Sequence, residues 1–232
     1  MAFKLINTNL VEQDIKLDVL VNNAAICTFE EGKKSKDLFE KEWTVNYLHT
    51  RYLTEQILEK GLLKESGKVI NTSSGMGNFR FVKRYNPEFY NLIQNGRDTD
   101  FDLETVTKHA NICYNDHATE EGKANWGNWT YSSTKLFLNL FTIALSKDPK
   151  VVEKNIQVYG LCPGYTDTGM TSAMAKDYPI APKTPEEGAQ TTVYLVRLPH
   201  EINKDIQGAF FRDEEKIPYD QEMDDPSVKP EE

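Results

Sequence analysis

Two side chains four residues apart, Tyr131 and Lys135, are the first in this sequence that could do chemistry together. On a helix, residues at this spacing lie on one face, so the lysine ammonium would favour the ionised form of the phenol. A tyrosine in that setting can exchange a proton with a substrate oxygen. The pattern is common, however, and the alternative interpretation is an aromatic ring packed beneath a lysine stem. The surrounding motifs must decide between the two.

Further polar clusters each follow an apolar run. The runs at residues 17–21, 68–72 and 155–161 contain β-branched residues and predict strands. The polar or turn-forming clusters after them are Asn22-Asn23-Ala24-Ala25, Ser73-Ser74-Gly75 and Cys162-Pro163-Gly164. Because ligands bind beyond the carboxyl ends of parallel strands, these clusters are candidate binding residues.

Helical patterns separate the predicted strands. Residues 35–61 predict a long helix containing Asn46, residues 130–146 predict an almost wholly apolar helix carrying Tyr131, and residues 184–197 predict a helix with a capping threonine at its start. Strands that alternate with helices predict an α/β fold with a doubly wound parallel sheet.

The domain organisation follows from the remaining segments. Residues 78–129 interrupt the alternation and are interpreted as an insertion with helical pieces, such as 102–109, near the binding edge. A last strand is predicted at 208–211, so residues 1–212 are assigned to one domain. The segment 213–232 is acidic and poor in apolar residues, which predicts a tail whose last dozen residues are disordered.

Composition excludes several classes of function. The net charge is −9, from 27 basic and 36 acidic residues without a basic cluster, which argues against nucleic acid and anionic membranes as partners. Apolar stretches are too short for a membrane span and no signal peptide is recognisable, so we expect a soluble, cytoplasmic protein. The three cysteines are far apart, which predicts free thiols and no metal site.

The ordered motifs resemble those of the short-chain dehydrogenase/reductase family. The matching segments are 18–25, 45–46, 70–74, 131–135 and 162–164, and the resemblance extends over residues 3–211. The long piece before Tyr131, with residues 184–189 and 193–195, is most similar to the monomeric carbonyl reductases of that family. The resemblance implies a Rossmann-like fold and hydride chemistry.

Four residues match the family's catalytic tetrad. By the resemblance, Tyr131 is the general acid that protonates a substrate carbonyl, and Lys135 lowers the tyrosine pKa and holds the nicotinamide ribose. Ser74 donates a hydrogen bond to the same carbonyl oxygen, and Asn46 positions a water for the proton relay. Without the resemblance, Ser74 would be a turn residue and Asn46 a surface amide.

The resemblance also implies contacts with a cofactor and a substrate. Besides Tyr131 and Lys135, the implied cofactor contacts are Asn22, Ala24, Ala25, Pro163, Gly164 and Thr168. The substrate contacts are Ser74, Met76 and Tyr165, although core packing explains Met76 and Tyr165 equally well. NADP is the expected cofactor and NAD the alternative. Ala25 departs from the family's glycine, which has a cost if the position needs a positive φ.

The resemblance starts partway through the family's fold. Members begin with a strand and a glycine-rich turn whose amides bind the cofactor pyrophosphate, whereas only 16 residues precede the strand at Leu17. We therefore expect an incomplete Rossmann-like sheet in which residues 17–21 form an open edge, exposed to a partner or to self-association. We also expect the 232-residue chain to bind dinucleotides weakly.

Two functions follow from these observations. The first is an NADP-dependent oxidoreductase that reduces a small-molecule carbonyl compound, a ketone, aldehyde or quinone, to an alcohol. The alternative is a non-catalytic structural or interaction protein that docks a partner through the open sheet edge. The complete tetrad favours the enzyme, since a structural role gives no physical reason to keep it.

Overall fold

Five strands form one sheet in the described part of the chain, in the order β1-β2-β3-β4-β5. The computed structural model describes residues 10–28, 36–96, 101–119, 122–123, 125–126, 130–172, 181–199 and 205–221. The strands are β1 (Leu17–Asn22), β2 (Leu63–Thr72), β3 (Gln157–Leu161), β4 (Phe210–Arg212) and β5 (Glu215–Ile217). The first four are parallel, and β5 returns antiparallel to β4. The predicted α/β class and parallel sheet are confirmed.

The register brings the carboxyl ends of three strands to one edge. Asn22 at the end of β1 is opposite Asn71 in β2, and Asn71 is opposite Gly160 in β3. The polar clusters that follow these strands in the sequence therefore meet in space. As the sequence predicts, β1 is the edge strand of the described sheet, and the Val21 side chain there is 39% exposed.

Eight α-helices have their bounds within the described residues, and they connect and cover the strands. They are α1 (Lys36–Trp43), α2 (Thr50–Glu59), α3 (Phe79–Tyr85), α4 (Pro87–Gly96), α5 (Leu103–Asp116), α6 (Thr130–Ser146), α7 (Pro149–Glu153) and α8 (Pro185–Arg197). A π-helical segment, Thr44–His49, joins α1 to α2 and makes one continuous helix of the predicted 35–61 region. Such segments recur at functional sites, and this one contains Asn46.

Helix α6 is the centre of the larger core cluster. Every residue of α6 except Thr130 and Ser132 is buried, as its apolar sequence predicts. Four rings surround Phe137 at centroid distances of 5.5 to 6.0 Å, and they belong to Trp43, Tyr47, Phe89 and Trp126. Phe89 and Trp126 lie in the segment interpreted as an insertion, so that segment covers α6 within its own chain.

In its described residues, the segment 78–129 contains the helices α3, α4 and α5, in line with the helical pieces that the sequence predicts. Helix α5 begins after Asp102, whose carboxylate accepts a hydrogen bond from the Thr105 amide at 2.8 Å. It is longer than the predicted 102–109 piece because its buried face continues through Ala110 and Cys113.

The predicted start of the acidic tail at residue 213 is wrong. Asp213 and Glu214 both have positive φ angles and form the two-residue turn of a hairpin between β4 and β5. The hairpin returns the chain to the core, where Tyr219 is 5% exposed and stacks on Phe79. Acidic composition here indicates a turn and an exposed strand, so residues 213–221 belong to the fold. The predicted disorder of the last dozen residues falls almost wholly outside the described residues.

Candidate active site

A chain of buried amides and hydroxyls fixes the strand ends. The Asn22 side-chain nitrogen donates to Asn71 Oδ1 at 2.8 Å and to Thr54 Oγ1 at 2.9 Å. Asn71 in turn donates to Thr142 Oγ1 at 2.9 Å. These bonds connect β1 and β2 to α2 and α6, and such satisfied buried networks favour one arrangement. The sequence analysis missed the roles of Asn71, Thr54 and Thr142, although an asparagine within a buried strand was a usable signal.

Asn46 holds the loop that follows β1. Its Oδ1 accepts from the Ile26 amide at 2.8 Å, and its Nδ2 donates to the Ile26 carbonyl at 2.8 Å. The same Nδ2 contacts Thr134 Oγ1 on α6 at 3.2 Å. Both Nδ2 protons are thus engaged with protein atoms. The expected positioning of a water by Asn46 stays a prediction.

Tyr131 lies in the first turn of α6 and is 9% exposed. Burial raises the pKa of its phenol most, nearby Cys27 and Cys162 and, least, Glu42 raise it further, and side-chain hydrogen bonding with Ser74 lowers it. Ser74 caps the short helical turn Gly75–Gly77, and its hydroxyl accepts from the Met76 amide at 3.1 Å. The end of β2 and the start of α6 therefore bring Ser74 and Tyr131 together, as the sequence predicts.

Lys135 is one helical turn beyond Tyr131. Its Nζ lies 5.5 Å from the centre of the Tyr131 ring and donates to the Thr72 carbonyl at 2.9 Å. Burial lowers the pKa of Lys135 from 10.5 to about 8. Burial is the main influence on the Tyr131 phenol and the Lys135 ammonium is directed at the Thr72 carbonyl, so the expected lowering of the tyrosine pKa by Lys135 stays a prediction.

The loops proposed to hold a cofactor surround this pair. Ala24 is exposed and Ala25 half-buried in the loop after β1, while Pro163 and Gly164 are half-buried after β3. Gly164 has a φ of +80°, which explains the glycine. Thr168 is exposed, and its amide donates to Thr171 Oγ1 at 3.0 Å.

Cys162 connects the turn that follows β2 to the turn that follows β3. Its sulfur accepts hydrogen bonds from the Gly75 amide at 3.2 Å and from the Gly164 amide at 3.4 Å. The sequence predicts a free thiol at Cys162 within the candidate binding cluster 162–164, and the cysteine is free. The contacts also hold the Ser74 turn against the Pro163 turn. No signal in the sequence identified this role.

The two residues expected to contact a substrate, Met76 and Tyr165, lie in different places. Met76 is half-buried and lines a small cavity between α6 and the segment 78–129. The other lining residues are Asn78, Phe81, Val82, Asn125, Trp126, Ser132, Ser133 and Leu136. Tyr165 is half-buried and does not line this cavity. The cavity has room for about one water molecule, so Met76 and Tyr165 both stay predictions as substrate contacts.

No group of three or more His, Cys, Asp or Glu side chains among the described residues could hold a metal ion. Each helix in the described ranges is too short or too polar to cross a membrane.

The arrangement defines a class of protein. A parallel sheet with a tyrosine, a lysine and a serine at its carboxyl edge is the arrangement expected for nicotinamide-dependent dehydrogenases. The sequence profile of the short chain dehydrogenase family matches residues 3–86 and 118–179. This chain belongs to that family. The unmatched stretch between the two parts falls within the segment 78–129.

Individual relatives give the same result. Carbonyl reductase [NADPH] 1 of Sus scrofa is 30% identical over 207 residues, which cover 87% of this chain and 66% of that protein. The Homo sapiens protein of the same name is 33% identical over 190 residues, which cover 79% of this chain and 63% of that protein. The chain thus spans about two thirds of the length of the curated relatives it matches.

Solved structures show the same fold. Salutaridine reductase from Papaver somniferum aligns with a TM-score of 0.70 at 23% identity, over 90% of this chain and 76% of that one. Carbonyl reductase Sniffer of D. melanogaster aligns with a TM-score of 0.55 at 20% identity, over 94% of this chain and 70% of that one.

Proposed function

We propose that this chain carries the catalytic residues of an NADPH-dependent carbonyl reductase that converts a ketone, aldehyde or quinone to an alcohol. One observation carries the proposal. A buried tyrosine at the carboxyl edge of the sheet interacts with Ser74 on one side and has Lys135 on its next helical turn. The similarity to carbonyl reductases that use NADPH supports the choice of substrate class and cofactor.

The tyrosine supplies the proton. A phenol is already protonated at neutral pH and burial raises the pKa of Tyr131 further, so Tyr131 holds the proton that it would give to the oxygen of a bound carbonyl. Ser74 would donate a hydrogen bond to the same oxygen and stabilise the negative charge that develops there. The half-buried Met76 and Tyr165 are the candidate substrate contacts.

The described residues fit the nicotinamide half of a dinucleotide. Lys135 Nζ uses one of its three protons on the Thr72 carbonyl, which leaves donors for ribose hydroxyls. Thr72 Oγ1 is buried beside it without a hydrogen-bond partner. The turn at Pro163-Gly164 would lie against the nicotinamide carboxamide, and the loop at Ala24-Ala25 would contact the ribose and adenosine side. A bound NADPH supplies the hydride, and NAD remains the alternative cofactor.

The proposal is tested with purified chain, an aromatic ketone or a quinone, and NADPH raised to the millimolar range. Tyr131→Phe removes the proton donor without changing the ring, so the rate should fall to less than about a tenth of the wild-type rate. Tyr219→Phe is the matched control, since this buried tyrosine donates its hydroxyl to the Gly208 carbonyl and should keep its activity. If Tyr131→Phe keeps more than about a tenth of the wild-type rate, the assignment of Tyr131 as the general acid is wrong. A wild-type chain that neither consumes nor binds NADPH would favour the non-catalytic alternative.

A further inference from the structure

Glu42 is the one buried carboxylate among the described residues. It lies on α1 and is 1% exposed. A buried charge is costly unless hydrogen bonds satisfy it, so its partners identify what it stabilises. No lysine or arginine in the described ranges forms an ion pair with it. Neutral donors satisfy the carboxylate instead.

Those donors belong to two separate segments. Oε1 accepts from the Thr28 amide and from the Thr28 hydroxyl, each at 2.7 Å. Oε2 accepts from the Thr130 hydroxyl at 2.5 Å. Thr28 is in the loop that follows β1, and Thr130 is the first residue of α6, directly before Tyr131. Hydrogen bonds to an ionised acceptor are short and about twice as strong as neutral ones.

Asn46 makes the same connection one helical turn later. It bonds to Ile26 in the same loop and to Thr134 on α6. Glu42 and Asn46 are four residues apart, as are Thr130 and Thr134, so the two bridges are parallel and Tyr131 lies between their anchor points on α6. The two bridges therefore fix the start of the helix and its next turn on both sides of Tyr131.

We propose that Glu42 is a positioning residue for the carbonyl reduction, which fixes Thr130, and through it Tyr131, against the loop after β1. This inference rests on the proposed function for its catalytic consequence. Its geometric part is independent of that function. The carboxylate also raises the pKa of Tyr131 and so favours the protonated acid.

The cleanest test changes the partner rather than the buried acid. Thr130→Val removes the hydroxyl at a half-buried position without changing the shape of the side chain, and Thr130→Ser restores the hydroxyl. Thr191→Val is the control, because this buried threonine accepts a hydrogen bond from the Glu214 amide and lies on α8. Glu42→Gln and Glu42→Leu then test the acid itself.

Two measurements are made on each folded variant. Hydrogen exchange followed by mass spectrometry reports the first turn of α6 and the Thr28 loop, and steady-state kinetics report kcat and KM for the ketone with NADPH. We expect Thr130→Val and Glu42→Leu to speed exchange in both segments and to lower kcat by about tenfold with KM within about twofold, as misplacement of a reacting group does. Thr130→Ser and Thr191→Val should have the exchange rates and the kcat of the wild type. The fall in kcat should be smaller for Glu42→Gln than for Glu42→Leu.

The inference is overturned if Thr130→Val exchanges like the wild type, or if its kcat falls no further than that of Thr191→Val. Failure of the proposed function has a different signature. In that case the wild type does not reduce the ketone, or Tyr131→Phe does not impair it, while the exchange data still decide whether Glu42 and Thr130 hold the two segments together.

Discussion

The Lys135 ammonium lies 5.5 Å from the centre of the Tyr131 ring, yet its hydrogen bond goes to the Thr72 carbonyl. The fold therefore encloses a lysine whose charged form is disfavoured by burial. The hydroxyl of Thr72 lies buried beside it without a hydrogen-bond partner. A site built in this way gives up stability to place donors where a ligand can use them.

The first prediction concerns this cost. Burial lowers the pKa of Lys135 from 10.5 to about 8, and this difference corresponds to about 3 kcal/mol against the charged form at neutral pH. Lys135→Met removes the charge and loses one hydrogen bond, so we expect it to raise the free energy of unfolding by about 2 kcal/mol at pH 7 while it abolishes reduction.

The same pKa shift predicts how the stability difference between Lys135→Met and the wild type changes with pH. Between the folded pKa of about 8 and the unfolded value of 10.5, the unfolded chain binds more protons at Lys135, so wild-type stability rises with pH across this interval. The advantage of Lys135→Met should therefore shrink from neutral to alkaline pH in urea titrations. A gap that stays constant, or a variant less stable than the wild type at pH 7, would contradict the account.

The second prediction concerns Ser74. Its hydrogen bonding lowers the pKa of Tyr131, and we propose that it also stabilises the substrate oxygen. Ser74→Ala should lower kcat by about a hundredfold, as loss of a donor to a developing oxyanion does. Ser146→Ala is the control, because this serine at the end of α6 donates only to the Ile143 carbonyl at 2.6 Å. Steady-state kinetics decide, and equal kcat values for both variants would exclude the role.

The third prediction concerns the packing of α6 against the segment 78–129. Phe137 is fully buried among four rings, so Phe137→Ala should lower the free energy of unfolding by about 3 to 5 kcal/mol. Leu92→Ala, at a side chain that is 38% exposed, should cost only about 0.5 kcal/mol. Urea denaturation measures both. Similar losses for the two variants would mean that the rings do not form one packed cluster.

The fourth prediction concerns Lys68, a buried lysine on β2 whose ammonium binds the carbonyls at the end of helix α8. Its Nζ donates to the carbonyls of Leu195, Val196 and Leu198 at 3.0, 2.8 and 2.6 Å. Lys68→Met leaves these helix-end carbonyls without their donor and should cost about 2 kcal/mol. Hydrogen exchange at the end of α8 should become faster.

A matched control lies on the same strand. Lys64 is half-exposed and pairs with Asp18 at 2.7 Å, so Lys64→Met should change stability by less than about 1 kcal/mol. If Lys64→Met and Lys68→Met behave alike, the contact of Lys68 with the helix end contributes little.

Much of the fold could be predicted because its signals are local. Apolar runs gave the positions of β1, β2 and β3, and helical spacing gave α6 with the bounds that the structure has. The motif order placed Asn46, Ser74, Tyr131 and Lys135 at strand ends and on helices, where the structure has them. The boundary at residue 212 could not be predicted, since acidic composition does not distinguish a tail from a hairpin turn.

The sequence by itself determined the element types, the family and the identity of the residues that meet at the sheet edge, because these depend on periodicity and on motifs within short segments. Only the tertiary structure decided the environment of those residues. The direction of the Lys135 hydrogen bond, the raised pKa of Tyr131 and the burial of Glu42 between Thr28 and Thr130 each depend on segments distant in sequence. Burial and hydrogen-bond geometry arise when those segments pack together, so no single stretch of sequence specifies them.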